Sequence, residues 1–246
     1  MKEFTSSTET LWDLYARSYD NILSLMEYYQ EVLHRHISFL GAPEINTVID
    51  LGAGTGTVAL RLAGHGRHVV AVDNSEAMLS RLEAKLGPPN GRSIELLNSS
   101  AENLERFDDA SFDGVNILLA LFAMELPAKC LYQAIRVLKP GGRLILTEPR
   151  RCFDMKLLLA KAETFLKEKK LLPAWQDDWN RVKQVNCELT ESMHPGKFPI
   201  EVIEEELKAT GGTIEGIEQS HFGNCATIWF RKDKKTPKLL VAVPGI

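Results

Sequence analysis

What this chain lacks narrows it before anything it contains. Its four cysteines, Cys130, Cys152, Cys187 and Cys225, form no C-x-x-C pair and no dense framework. Neither a zinc site nor a disulfide scaffold is indicated, and reduced thiols in a cytoplasm are the expectation. There is no excess of basic residues: 29 Lys and Arg against 33 Asp and Glu leave a formal net charge of -4. That balance argues against a nucleic-acid surface and for a small-molecule partner. The longest unbroken apolar run, residues 117–124, falls far short of the roughly 20 residues that cross a bilayer. The opening MKEFTSSTETLWDLY has no apolar centre of the kind a signal peptide carries. A soluble cytoplasmic chain, monomer or homodimer, with no membrane partner and no metal, is therefore expected.

What is present has the texture of one α/β domain of 246 residues. Ser6-x-x-Glu9 reads as a capping box, and apolar residues then recur at helical spacing until Gly41 and Pro43, with a break expected near 18–21. Across 44–150 the runs TVIDL, VVAVD, SIELLN, GVNILLA and RLILTE alternate with the amphipathic stretches VALRLAGH, AMLSRLEAKL and CLYQAIRVL. Strands alternating with helices imply βαβ units and a parallel sheet. Residues 151–199 break that rhythm with a helical pattern over 155–172 and a segment carrying Trp175 and Trp179, which reads as an inserted cap. Within 200–246, a helix closed by Gly211-Gly212 precedes two β-like runs flanking Gly223-Asn224, an antiparallel terminal hairpin.

The stretch VIDLGAGTG, residues 48–56, carries the most chemistry. A dinucleotide fingerprint needs G-x-G-x-x-G, but Thr57 stands where the third glycine should be, and no G-K-[ST] follows for a triphosphate. A close-packed turn without a ligand is the remaining alternative. Asp73, ending VVAVD 21 positions after Gly52, favours a ligand with a ribose, whose hydroxyls a carboxylate at a strand end accepts. Together the loop, VVAVDNS, SSAENL, FDGVNILLALF and RVLKPGGRLILTE resemble, over residues 47–149, the class I S-adenosylmethionine-dependent methyltransferases of the ubiquinone/menaquinone-methyltransferase-like type.

The resemblance implies a Rossmann-like, mostly parallel seven-stranded sheet with helices on both faces, an N-terminal helical lid over 1–43 and a small-molecule methyl acceptor. It makes S-adenosylmethionine the cofactor. Asp50 would head the loop, with Gly52, Ala53 and Gly54 against the methionine part and Asp73 on the ribose. Asn74 and Met78 would flank the adenine, Ser100, Ala101 and Glu102 would read its edge, and Leu118 and Leu119 would border the methyl. The family often has Asp where this chain has Ser100, which leaves open what holds the exocyclic amine. WDLYARSYD resembles the family's lid, with Tyr19 over the cofactor and Tyr15 towards the substrate; a packed helix face explains the same spacing.

The sulfonium methyl is already activated, so a base is needed only for a protonated acceptor. His194, His221 and Glu125 are the candidates, although Glu125 equally fits the start of the helix that follows. Arg150 and Arg151, beyond a strand end, either clamp an acceptor anion or make a surface turn; Trp175 and Trp179 either line an aromatic pocket or pin the cap. His34 and His36 are expected on a helix surface, and Cys130 and Cys225 in the core. Methylation of RNA or protein, and a non-methylating protein that binds the cofactor, are the competing functions. The fourth strand ends in NILLALF and not in N-P-P-Y.

Overall fold

The computed structural model describes residues 8–86, 93–193 and 197–234. Seven strands form one sheet in the order β3-β2-β1-β4-β5-β7-β6, where β1 is Thr47–Leu51, β2 His68–Asp73, β3 Ile94–Asn98, β4 Phe112–Leu118, β5 Leu138–Pro149, β6 Thr213–Ser220 and β7 Cys225–Arg231. The first five are parallel and β7 runs antiparallel to β5 and β6. The central strands are apolar on both faces because both are covered. On one side α5 (Pro127–Val137) and α8 (Ile200–Ala209) bury Leu131, Ile135, Ile203 and Leu207. On the other lie α2 (Glu27–Leu40), α3 (Thr57–Gly64) and α4 (Glu76–Lys85), joined by α1 (Thr8–Leu23), α6 (Met155–Glu168) and α7 (Gln176–Met193).

Local chemistry sets several element ends. Ser75 caps α4 by accepting from the Met78 N–H at 3.2 Å, and Asp154 caps α6 by accepting from Leu157 at 3.0 Å. The chain order reverses between β1 and β4, where β1 turns to β2 and β4 to β5. A crevice opens at the carboxyl ends of the strands there.

Three boundaries differ from the sequence expectations. The N-terminal break falls at Ser24–Met26 and not near 18–21, where Ser24, Leu25 and Met26 close the turn through N–H bonds to Asp20, Ile22 and Leu23. The cap helix expected over 155–172 stops at Glu168, because Lys170 adopts a φ of 57°. Strand β5 starts earlier than RLILTE, with an irregularity between the pairs Phe112–Leu138 and Gly114–Arg143 that sets residues 139–142 against Asp113. Ser6, His194 and the tail over 239–246 lie outside the described residues. Among those described, no helix is long and apolar enough to cross a membrane.

Candidate functional site

The loop after β1 takes three left-handed glycines, Gly52 (φ 72°), Gly54 (φ 54°) and Gly56 (φ 79°), for two different reasons. A Cβ on Gly52 would lie 2.4 Å from the Ala120 Cβ, and one on Gly56 2.1 Å from Leu82 Cδ1. Both positions are closed by packing. A Cβ on Gly54 would meet nothing nearer than Met78 Sδ at 4.0 Å, so this glycine faces open space. Its N–H donates to Asp73 Oδ2 at 2.7 Å, while Oδ1 of the same carboxylate accepts from Ser75 N at 2.9 Å. Burial raises the Asp73 pKa, and the bonds from Ser75 and Gly54 counter it.

A cleft of about 570 Å³ runs along this loop, walled by Trp12, Gly52, Gly54, Asp73, Asn74, Met78, Ser100, Ala101, Glu102, Leu118, Leu119 and Ala120, with Met124 and Glu125 at its far side. Ser100 Oγ accepts from the Glu102 N–H at 3.1 Å, and Glu102 Oε1 accepts from Leu126 N at 2.6 Å. The wall at Ala120 is held from beneath. The Glu148 carboxylate, fully buried at the end of β5, accepts from the N–H groups of Ala120 and Leu121 at 2.8 Å and of Phe122 at 3.2 Å. Burial pushes its pKa up to about 7.

A second, apolar cavity of about 100 Å³ adjoins the first, and Trp12 and Leu119 border both. Its aromatic wall includes Tyr15, Tyr28, Tyr29, Phe122, Phe153 and Trp179, and its polar groups include Asn186, Thr190 and His221. Asn186 Nδ2 donates to the Tyr15 hydroxyl at 3.0 Å, and Trp179 Nε1 donates to Glu163 at 3.0 Å.

Residues 49–146 match a methyltransferase domain family. The chain is 32% identical, over 187 residues, to a demethylmenaquinone methyltransferase of Clavibacter sepedonicus, a match covering 68% of this chain and 75% of that protein. The chain belongs to the S-adenosylmethionine-dependent methyltransferases of the ubiquinone/menaquinone-methyltransferase-like type. It is also 35% identical, over 119 residues, to a ubiquinone/menaquinone biosynthesis C-methyltransferase of Bartonella bacilliformis, covering 46% of this chain and 45% of that one. Three further demethylmenaquinone methyltransferases are matched over about half their length. An S-adenosylmethionine-dependent methyltransferase structure from Aquifex aeolicus, 16% identical, overlays with a TM-score of 0.58 across 88% of this chain and 97% of that one. That last likeness concerns the fold. S-adenosylmethionine is thus the methyltransferase's cofactor, and a cleft with a carboxylate at a strand end, an unfilled glycine face and the apolar Met78 and Leu118 suits it.

The methyltransferase gathers most of its expected cofactor residues on that cleft, with exceptions that have physical reasons. Ala53 packs away from it against the helical core, its N–H bonded to Val72 O at 3.0 Å. Asp50 is buried beneath the loop and absent from the cleft wall. Of Tyr19 only the backbone, on α1, is described. Trp12, in the same segment, meets both cavities; its side chain borders them because α1 is fastened across the loop. Asp20 Oδ1 accepts from Thr55 Oγ1 at 2.5 Å and Oδ2 pairs with Lys85 at 2.5 Å.

Of the residues expected to meet an acceptor, Tyr15, Trp179 and His221 come together in the apolar cavity. Trp175 packs half-buried outside it. Arg150 is turned to the chain itself: its Nη1 donates to Gly223 O at 3.2 Å and its Nε lies 3.4 Å from Glu201, which also accepts from the Arg151 backbone N–H. Arg150 holds a turn, while the Arg151 side chain is exposed. Glu125 is exposed at the cleft rim, and Leu126 stands at the N-cap of α5 with no side-chain cap. Cys130 and Cys225 are buried as expected.

His36 corrects the expectation of a surface histidine. It is fully buried at the centre of a polar chain spanning four elements: Nδ1 lies 2.5 Å from Asn116 Oδ1, Nε2 lies 2.8 Å from Thr147 Oγ1, and Thr147 Oγ1 lies 2.7 Å from Thr227 Oγ1. Asn116 Nδ2 donates to Asp50 Oδ1 at 2.7 Å. With its amide committed to Asp50, Asn116 offers His36 an oxygen, so Nδ1 carries the proton and Nε2 accepts from Thr147. Burial brings His36 down to about 4 and takes Asp50 up to about 7. Helical spacing alone cannot reveal this, since His36 looks like any polar residue on α2 until the sheet lies under it.

Proposed function

We propose that the chain methylates a ring carbon of a small hydroxylated aromatic acceptor of quinol type. The observation that carries this reading is the aromatic-walled cavity meeting the cofactor cleft at Trp12 and Leu119. The relatives named for demethylmenaquinone and for ubiquinone/menaquinone C-methylation support it. In this reading Asp73 accepts the ribose hydroxyls, and Met78 and Asn74 flank the adenine. Ser100, Ala101 and Glu102 read the adenine edge, while Gly52 and Gly54 bring backbone against the methionine part. Bound there, the cofactor supplies a methyl group already activated on a sulfonium.

The chain's own contribution is alignment and exclusion of water. Leu118 and Leu119 border the reacting methyl, and Glu148 fixes the turn beyond them through three N–H bonds. The aromatic wall selects a flat acceptor by dispersion and edge contacts. Tyr15 and Trp179 thereby act on the substrate, and Arg150, held to Gly223 and Glu201, does not.

The test is transfer of labelled methyl from the cofactor to a panel of reduced quinols, phenols, amines and RNA. Equal amounts of S-adenosylhomocysteine and of a carbon-bound methyl product from a quinol are expected. Label appearing only on nitrogen or RNA, or cofactor binding without turnover of any acceptor, would remove the reading.

A further inference from the structure

We propose that His221 is the general base of the reaction, taking the acceptor's hydroxyl proton on Nε2 as the ring carbon takes the methyl group. This rests on the quinol-type reading. Among the described residues His221 is the one histidine on the acceptor cavity: His34, His65 and His68 are exposed and both nitrogens of His36 are engaged.

The backbone points the same way. His221 (φ 50°), Phe222 (φ 57°) and Gly223 (φ 83°) are three consecutive left-handed residues between β6 and β7. Glycine would take such a turn freely, whereas histidine and phenylalanine are strained in it, and strain of this kind persists only where surroundings enforce it. Here they do. Asn224 donates to His221 O through both its backbone N–H and Nδ2, each at 3.1 Å, and its Oδ1 accepts from Asp154 N at 2.7 Å. Arg150 closes the web on Gly223 O. The result is an imidazole turned inward, 4% exposed, with Phe222 turned out at 49%. Tyr28 packs edge-on against the imidazole, ring centres 4.8 Å apart.

Ser220 Oγ lies 3.0 Å from Nδ1. With Nδ1–H donating to that hydroxyl, Nε2 holds a lone pair and has no hydrogen-bond partner among the described residues. The groups facing the ring are Tyr28 and Arg35 of α2 and Cys225 of β7, with Glu218 of β6 paired to Arg35 at 3.2 Å. Burial, then the Arg35 charge, keeps the imidazole neutral down to about 4. Burial also raises the Tyr28 and Cys225 pKa values, so both stay protonated.

An imidazolium would be costly in this cavity but for the reaction's own charge balance. The acceptor O–H bond breaks and its proton passes to Nε2; the C–CH3 bond forms and the S–CH3 bond breaks, so the sulfonium charge disappears as the imidazolium charge appears. The dienone that results regains its aromatic ring by moving the hydrogen from the methylated carbon to oxygen. The imidazolium then releases its proton to solvent.

The experiment compares wild type with His221→Asn, chosen because asparagine tolerates a left-handed φ. At pH 7 kcat is expected to fall about a hundredfold or more, with the melting temperature and S-adenosylhomocysteine affinity near wild type. The deficit should narrow as pH rises towards the acceptor's own ionisation, since an acceptor already deprotonated needs no base. A kcat within about threefold of wild type, or a deficit constant with pH, would overturn the proposal.

A second measurement needs no turnover: with S-adenosylhomocysteine bound, an added phenol should shift the nitrogen NMR resonance of His221 Nε2 as it accepts the hydroxyl, and the matching aryl methyl ether, which has no proton to donate, should leave it unmoved. Binding without that difference overturns His221 as base while leaving the acceptor class standing. Failure of every phenol to bind or be methylated overturns both.

Discussion

Gly52 and Gly54 look alike in the sequence and separate in their consequences. Alanine at Gly52 drives a Cβ to 2.4 Å from that of Ala120 at a φ of 72°, so overpacking and a left-handed alanine together should destabilise the fold by about 2–4 kcal/mol. Gly54→Ala meets no protein atom closer than 4.0 Å and should lose only about 1 kcal/mol of backbone strain. Its methyl group should instead weaken S-adenosylhomocysteine binding at least tenfold. Chemical denaturation and calorimetry separate the two effects, and equal stability losses without an affinity difference would contradict the assignment. His36→Leu leaves Asn116 Oδ1 and the Thr147 hydroxyl buried without their partner, at a cost of about 2–3 kcal/mol. An unchanged denaturation midpoint would mean that water replaces the ring.

At the scale of elements, α1 matters most, because its attachments are polar on both sides. Asp20 joins it to the glycine loop and α4, while Asp178 of α7 accepts from Ser18 Oγ at 2.6 Å and from Asn21 at 3.0 Å. Asp20→Asn removes the charge pairing Lys85, a pair only part-buried and so of modest strength. Its main expected effect is local: faster proteolysis within α1 and a several-fold weaker cofactor affinity, with global stability nearly unchanged. If S-adenosylhomocysteine protects α1 equally in both proteins, α1 does not close over the cleft. The helix was legible from its spacing, and the resemblance implies its role as a lid. Its break was not, because three backbone bonds from Ser24, Leu25 and Met26 set it, and no side-chain pattern records those.

For the whole molecule, four buried groups set opposing pH dependences. His36 and His221, held near 4, bind fewer protons folded than unfolded between about pH 4 and 6.5, so they make stability rise with pH across that window. Asp50 and Glu148, raised to about 7, bind more protons folded than unfolded from about pH 4 to 7, and they make stability fall with pH. The two pairs oppose one another from pH 4.5 to 6.5, so wild-type stability should change less across that window than either pair alone would impose. Glu148→Gln removes one falling contribution, so its stability should climb with pH there; parallel curves for the two proteins would show that Glu148 is ionised throughout.

The sequence by itself determined the sheet, the glycine loop and the carboxylate that ends β2, because alternating apolar runs and glycine spacing act within a few residues of chain. Only the tertiary structure decided which glycine faces the cleft, that Arg150 holds a turn, that His36 is buried and that Glu148 supports Ala120. The last three of those outcomes depend on partners 28 to 111 positions away, and which distant group arrives opposite a side chain is a property of packing, not of local pattern.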